Sequence, residues 1–124
     1  MKLGPLFISI EGLILTKNDR KNLSSDNVGE VILFSRNYEN KQQLKELINS
    51  IKDIKSPQLI VSVDQEGGRV QRFINDFYRL PSLRTIGKLY DQSHSKGQES
   101  ALLAGQIMSL ELSEMGIDFS FVPV

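Results

Sequence analysis

One short segment gathers most of the side chains suited to chemistry: residues 63–72, with the sequence Val-Asp-Gln-Glu-Gly-Gly-Arg-Val-Gln-Arg. Asp64 can accept hydrogen bonds from two hydroxyl groups of a sugar, and Arg72 offers a rigid fork of N–H donors. The glycine pair between them lets a ligand come close to the main chain. We therefore predict that Asp64 and Arg72 contact a ligand.

The residues in the middle of this segment have a different predicted role. Glu66 and Arg69 are three positions apart and carry opposite charges, so they could pair with each other. Gly67 and Gly68 permit the main-chain conformations that a tight loop needs. We predict that Glu66, Gly67, Gly68 and Arg69 brace the loop.

Two other chemistries fit parts of the same segment. The glycines offer backbone amides to a phosphate, but the spacing of known phosphate loops is absent and the preceding acids would repel an anion. Asp64 and Glu66, as residues i and i+2 of an extended chain, can approach the separation of about 5 Å found between the carboxyl groups of retaining glycosidases. The residues alone leave this carboxylate pair open.

The elements that must position the segment alternate between strands and helices. Apolar runs rich in β-branched and aromatic residues predict strands at residues 6–10, 28–34, 59–63 and 117–124. Helices are predicted at residues 16–23, after Asn40, and at 101–115. Residues 64–98 show little periodicity, and we interpret them as a long loop, a kind of segment that often carries function.

Three local signals support the helices. Thr16 followed by Asp19 resembles a capping box, and Asn40 can cap the second helix. The second helix has one apolar stripe with helical spacing, formed by Leu44, Leu47, Ile48 and Ile51. The last helix carries Leu103, Ile107 and Leu110 on one side and has Gly116 as its stop signal.

The order β-α-β-α-β-loop-α-β implies parallel strands joined by right-handed crossovers. We predict an α/β fold whose parallel βα units form the first half of a (β/α)8 barrel of TIM type, because a whole barrel takes about 250 residues. This incomplete barrel would be one domain over residues 1–124, with no second domain. A complete four-stranded open sheet is the alternative. An open sheet edge would favour self-association.

Composition narrows the classes of function. Fifteen basic and fifteen acidic residues cancel, so no net field attracts nucleic acid or an anionic membrane. The absence of cysteine excludes thiolate chemistry, and the sole histidine, His94, is predicted to be an exposed loop residue. We expect no metal and no cofactor. Glu11 interrupts the first apolar run and no apolar stretch is long enough to span a bilayer, so the expected location is the cytoplasm.

Residues 63–73 resemble the signature of the β-N-acetylhexosaminidase branch of glycoside hydrolase family 3, the enzymes of peptidoglycan recycling. The flanking sequence agrees with this branch in order along essentially the whole chain. The matching blocks are Glu11-Gly12, residues 31–38, Leu80-Pro81 and residues 116–124.

The resemblance implies a (β/α)8 barrel that hydrolyses terminal N-acetylglucosamine from cell-wall muropeptides, with retention and through a covalent glycosyl-enzyme. It assigns sugar binding to Asp64 and Arg72. The family's catalytic aspartate and its acid/base histidine come later in the family sequence and have no counterpart in these 124 residues. The resemblance therefore implies no catalytic residue in this chain, and it disfavours Asp64 and Glu66 as the catalytic pair.

Two interpretations of function follow. In the first, the chain is part of a hexosaminidase and is inactive by itself. In the second, it is a non-catalytic module derived from the barrel that binds a protein or a sugar. Wherever the chain binds a sugar, the expected ligand is a cell-wall saccharide that contains N-acetylglucosamine.

Overall fold

The computed structural model describes residues 2–123. The strands are β1 (Leu6–Ile8), β2 (Val28–Leu33), β3 (Ile60–Val63), β4 (Gln65–Gly67), β5 (Val70–Gln71) and β6 (Phe119–Ser120). The helices are α1 (Lys17–Leu23), α2 (Lys41–Lys52), α3 (Leu83–Gln92) and α4 (His94–Met115), with a 3₁₀ turn at Ser35–Asn37.

Four of the strands form one parallel sheet in the order β1-β2-β3-β6. Strands β2 and β3 pair with Val31 opposite Val61, and β3 pairs with β6 so that Val63 lies opposite Ser120. The connections between these strands contain the helices, as parallel pairing requires. The predicted α/β fold of parallel βα units is confirmed. Among the described residues, β1 and β6 are the open edges of this sheet.

The core lies between the sheet and α2. Alternate residues of β2 and β3 point to this side, and all are buried: Val31, Leu33, Val61 and Val63. Helix α2 buries the four residues of the predicted stripe against them, Leu44, Leu47, Ile48 and Ile51. Burial of one such side chain contributes about 1.5–3 kcal/mol, so this interface is the main source of stability.

The opposite face of the sheet carries a buried polar pair. Glu30 of β2 and Ser62 of β3 are almost fully buried. The Ser62 hydroxyl donates a hydrogen bond to Glu30 Oε1. Because buried polar groups are costly unless they are paired, this contact stabilises the Ser62 hydroxyl and one oxygen of the Glu30 carboxylate.

The predicted caps and the predicted glycine stop are confirmed. The main-chain N–H of Asp19 donates to Thr16 Oγ1 at 3.0 Å, and that of Thr16 donates to Asp19 Oδ2 at 2.8 Å, which completes the capping box. Asn40 Oδ1 accepts from the N–H of Gln43 at 2.9 Å. Helix α4 ends at Gly116, whose φ of 89° lies in the left-handed region.

The predicted long loop over residues 64–98 is wrong. Strands β4 and β5 form an antiparallel hairpin, α3 follows it, and α4 begins at His94 rather than at Ala101. Ser82 caps α3 by accepting from the N–H of Thr85 at 3.1 Å. Leu83, Ile86 and Tyr90 of α3 do follow helical spacing, and the sequence reasoning missed this signal because the helix is only ten residues long and lies in a polar stretch.

The side of α4 that contacts the core also differs from the predicted apolar side. Leu112 and Met115 are buried and Met108 packs beside them, whereas Leu103 and Leu110 are 55% and 71% exposed. Helix α4 is apolar on two faces, and sequence periodicity does not show which of them meets the sheet.

His94 is exposed, as expected, but it is the first residue of α4 and not part of a loop. Its ring stacks on Tyr90 with a centroid distance of 4.4 Å. Within residues 2–123, no helix is both long enough and apolar enough to cross a membrane.

Two glycines test the role of the left-handed residue that follows α4, one at the end of this helix and one in its interior. Gly116→Ala would place a side chain at φ 89°, with its Cβ 3.2 Å from Ile48 Cγ2, and should cost about 1–2 kcal/mol. Gly105→Ala, in the interior of the same helix with open space around the new Cβ, should stabilise by about 0.5–1 kcal/mol. Urea unfolding of both variants measures these changes. A Gly116→Ala variant as stable as the parent chain would contradict the assignment of the helix end.

Candidate functional site

The segment that the sequence singles out lies at the carboxyl end of β3. Strand β3 ends at Val63, Asp64 follows it directly, and the β4–β5 hairpin then turns the chain back so that Arg72 reaches Asp64. In parallel α/β folds, ligands bind outside the carboxyl ends of the strands. The hairpin therefore brings the two predicted ligand-contacting residues together at the edge where ligands bind.

Asp64 and Arg72 form one ion pair. Nη2 of Arg72 donates to Oδ2 of Asp64 at 3.2 Å, and the side chains are 30% and 25% exposed for Arg72 and Asp64. Nε of Arg72 is buried and has no acceptor among the described residues. A guanidinium carries five N–H groups, and within residues 2–123 this one makes a single hydrogen bond, the one to Asp64. Most of its donor capacity is thus not used by the fold.

The ends of β1 and β2 contribute to the same edge. The guanidinium of Arg72 lies 5.9 Å from the centroid of the Phe34 ring, and that of Arg36 lies 4.8 Å from it. Nε of Arg36 donates to the carbonyl oxygen of Ile10 at 3.0 Å and lies 3.7 Å from the Glu11 carboxylate. Phe34 and Arg36 were not among the predicted site residues, although Phe34 ends a predicted strand and Arg36 comes two residues after it.

Gly67 and Gly68 form the turn of the hairpin. Both have positive φ, 114° and 58°. A Cβ on Gly67 would lie 2.2 Å from the carbonyl oxygen of Pro81, and one on Gly68 would lie 2.7 Å from Cβ of Ser82. The turn can pack against the Pro81–Ser82 main chain only because both residues lack a side chain.

The expected ion pair between Glu66 and Arg69 is wrong. The salt bridges formed within residues 2–123 do not include it; Glu66 is half-buried and Arg69 is exposed. A three-residue spacing brings side chains together on a helix, but here two positive-φ glycines separate the residues in a hairpin. An ion pair between Glu66 and Arg69 therefore does not brace the loop.

Two buried glutamines hold the segment instead. Gln65 Oε1 accepts from the N–H of Arg72 at 2.9 Å and from that of Phe73 at 3.1 Å. Gln71 Nε2 donates to the carbonyl oxygens of Phe73 and Tyr78, at 3.0 and 2.9 Å. The sequence reasoning gave neither residue a role. Gln65 lies between two acids and Gln71 next to Arg72, so no local pattern signals their burial.

An aromatic cluster supports the far side of the segment. The rings of Tyr38, Phe73 and Phe77 lie within 5.1–5.6 Å of one another, centroid to centroid. Partial burial raises the pKa of the Tyr38 hydroxyl, and the negative charges of Asp76 and Glu111 raise it further. The neutral hydroxyl therefore persists and donates to the carbonyl oxygen of Asn75.

One open groove lies away from the Asp64–Arg72 ion pair. It has a volume of about 540 Å³ and lies between α3 and α4, where Ile86, Tyr90 and Gly97 line it. Neither Asp64 nor Arg72 borders it. The ion pair lies on an open rim, since the sheet is not closed around it by the described residues. Chemistry and position, rather than groove volume, identify the site.

The fold and the site define a class: an α/β protein of parallel βα units with a carboxylate–guanidinium pair at the carboxyl ends of its strands. Comparison with known proteins gives the family. The N-terminal domain of glycosyl hydrolase family 3 matches residues 6–124, and the chain belongs to this family.

The curated relatives share the whole chain but are much longer. It is 48% identical over 124 residues to a β-hexosaminidase of Thioalkalivibrio sulfidiphilus and 49% identical to one of Nitrosomonas eutropha. In both cases the match covers 100% of this chain and 36% of the relative. The chain thus spans about a third of the length of these relatives.

Solved structures agree. NagZ from Neisseria gonorrhoeae superposes on 99% of this chain with a TM-score of 0.97 and 41% identity, and the match covers 37% of NagZ. One structure of that protein contains N-trifluoroacetyl-D-glucosamine. A β-N-acetylglucosaminidase of family 3 from Paenibacillus is similar over 94% of this chain, with a TM-score of 0.83 and 31% identity. These matches confirm that the βα units form the amino-terminal part of a longer barrel fold.

Proposed function

We propose that this chain is the sugar-binding amino-terminal part of a retaining β-N-acetylhexosaminidase, and that Asp64 and Arg72 hold terminal N-acetylglucosamine. The observation that carries the proposal is the contact between these two side chains at the carboxyl end of β3. The neighbouring NagZ structure with N-trifluoroacetyl-D-glucosamine supports the choice of sugar.

The two side chains suit a sugar because they supply complementary hydrogen bonds. The carboxylate of Asp64 accepts from two hydroxyl groups, and the free N–H groups of Arg72 donate to hydroxyl oxygens. The ion pair makes them one unit, so that a single sugar ring can contact both. Holding the terminal sugar in one orientation is a contribution to catalysis in its own right, because it positions the glycosidic bond for the groups that cleave it.

We further propose that the substrate is a cell-wall muropeptide, cleaved during peptidoglycan recycling in the cytoplasm. Support for the process comes from the resemblance of residues 63–73 to the recycling enzymes. Support for the compartment comes from the absence of cysteine, which fits a reducing environment.

Exposed apolar side chains favour a second property, self-association. Leu6 and Phe7 on edge strand β1 are 51% and 59% exposed. Phe119 on the other edge strand is 38% exposed. We propose that a second copy of the chain covers these edges, since open parallel edges with apolar side chains readily pair.

The sugar site can be tested by titrating the chain with N-acetylglucosamine in a calorimeter. Arg72→Lys replaces the rigid fork by a single ammonium group and should weaken binding about tenfold. Arg69→Lys is the matched control, because Arg69 belongs to the same segment, is exposed and makes no ion pair with the described residues; its affinity should equal that of the parent chain. Equal losses in both variants would contradict the proposed site.

Catalysis by this chain alone can be tested with an aryl β-N-acetylglucosaminide. We expect no release of the aryl group above background, because the resemblance places the catalytic aspartate and histidine later in the family sequence. Turnover that Asp64→Asn abolishes would contradict this expectation and would make Asp64 and Glu66 the candidates for the catalytic pair.

Association can be tested by size-exclusion chromatography with light scattering. The parent chain should elute as a defined species larger than the 14.0 kDa of one copy. Phe7→Asp should shift it toward the monomer, because a charge on the edge strand opposes pairing. Ile14→Asp is the control, since Ile14 is 75% exposed but lies outside the sheet. A monomeric parent chain would exclude the proposed association.

A further inference from the structure

Gln65 connects the two halves of the site through its side chain. It directly follows Asp64, and only 2% of its surface is exposed. Its Oε1 accepts from the main-chain N–H groups of Arg72 and Phe73, at 2.9 and 3.1 Å, and its Nε2 donates to the carbonyl oxygen of Phe73 at 3.1 Å. The whole amide group is therefore used to hold the main chain that carries Arg72.

Ser120 holds the other end of this connection. The main-chain N–H of Gln65 donates to Oγ of Ser120 at 2.9 Å, and this hydroxyl donates to the carbonyl oxygen of Gln65 at 3.0 Å. Ser120 belongs to β6, whose start is fixed because Asp118 accepts from the N–H of Val61 at 2.8 Å and from Nζ of Lys52 at 2.9 Å. Strand β6 is thus linked to Arg72 by hydrogen bonds that run from Ser120 to Gln65 and from Gln65 to Arg72.

The side chain of Arg72 needs such support. Among the residues that the structure describes, its guanidinium bonds to Asp64 alone, and its buried Nε has no acceptor there. The position of its guanidinium is therefore set mainly by its main chain. Two main-chain N–H groups left without an acceptor in a buried place would be costly, so the Gln65 amide fixes this main chain firmly.

We propose that Gln65 is a positioning residue: with Ser120, it sets Arg72 relative to Asp64 so that both face the same sugar. The ligand in this statement rests on the proposed function, but the mechanical link between Gln65 and Arg72 does not. Gln65 has no part in the reaction itself, and its effect is on how tightly the sugar binds.

Gln71 offers a matched control in the same hairpin. It is 3% exposed, and its amide makes three hydrogen bonds, donating to the carbonyl oxygens of Phe73 and Tyr78 and accepting from the N–H of Leu80. None of these bonds involves Arg72. The two glutamines are equally buried and equally bonded, and they differ in whether they hold Arg72.

The experiment compares Gln65→Met with Gln71→Met, each of which keeps the volume of the side chain and removes its amide. Amide hydrogen exchange is measured at Arg72 and Phe73, and N-acetylglucosamine affinity is measured by titration. Gln65→Met should speed exchange at both residues and weaken the sugar affinity, each about tenfold. Gln71→Met should leave the exchange at Arg72 unchanged, because its amide makes no bond to Arg72, and should weaken the affinity less than Gln65→Met does.

Four further variants, two at Ser120 and one at each glutamine, keep the test decisive if Gln65→Met does not fold. Ser120→Ala removes the hydroxyl that fixes the Gln65 main chain and should change both readouts in the same direction, while Ser120→Thr, which retains a hydroxyl, should restore them. Gln65→Glu should bind sugar more tightly as the pH falls, because the protonated carboxyl again donates to Phe73 and a buried carboxyl is readily protonated. Gln71→Glu should show no such rise in affinity.

The outcomes separate this inference from the proposed function. If the parent chain does not bind N-acetylglucosamine, the proposed function fails, and exchange at Arg72 and Phe73 alone decides the role of Gln65. Exchange at those residues that stays at the parent rate in Gln65→Met overturns the inference. So does an equal loss of sugar affinity in Gln65→Met and Gln71→Met.

Discussion

Parallel pairing of β1, β2, β3 and β6 brings the carboxyl ends of all four strands to one edge of the sheet, and the site depends on this constraint. Asp64 lies there because β3 ends at Val63. Arg72 lies there because the β4–β5 hairpin returns the chain to the same edge. The sheet, in turn, is held by the apolar side of α2. A polar site thus rests on an apolar interface, and the short strand β6 adds the contact from Ser120 to the hairpin.

Much of this arrangement could be predicted from the sequence because its signals are local. The capping box at Thr16, the cap at Asn40 and the stripe from Leu44 to Ile51 need only their neighbours in the chain to be recognised. Alternation of strands and helices then leaves parallel pairing as the simplest topology. The position of Asp64 after a buried strand was enough to place it at the edge where ligands bind.

The features that could not be predicted depend on contacts between distant residues or on conformation. The pairing expected between Glu66 and Arg69 assumed a spacing that positive-φ glycines abolish. The role of Gln65 is visible only once Ser120, 55 residues later, lies beside it. The packing of helix α3 depends on a distant glycine, Gly97 of α4, where an added Cβ would lie 2.4 Å from Cα of Tyr90.

The buried pair of Glu30 and Ser62 has a consequence for how the strands choose their alignment. Most β2–β3 contacts are between aliphatic side chains, which would tolerate a shifted alignment with little penalty. A shift by one residue would turn Glu30 toward α2 and leave its charge among leucine and isoleucine side chains. Only one alignment gives the carboxylate its hydroxyl donor. Glu30 therefore favours one alignment of β2 with β3, where the shapes of the aliphatic side chains alone would distinguish the alignments poorly.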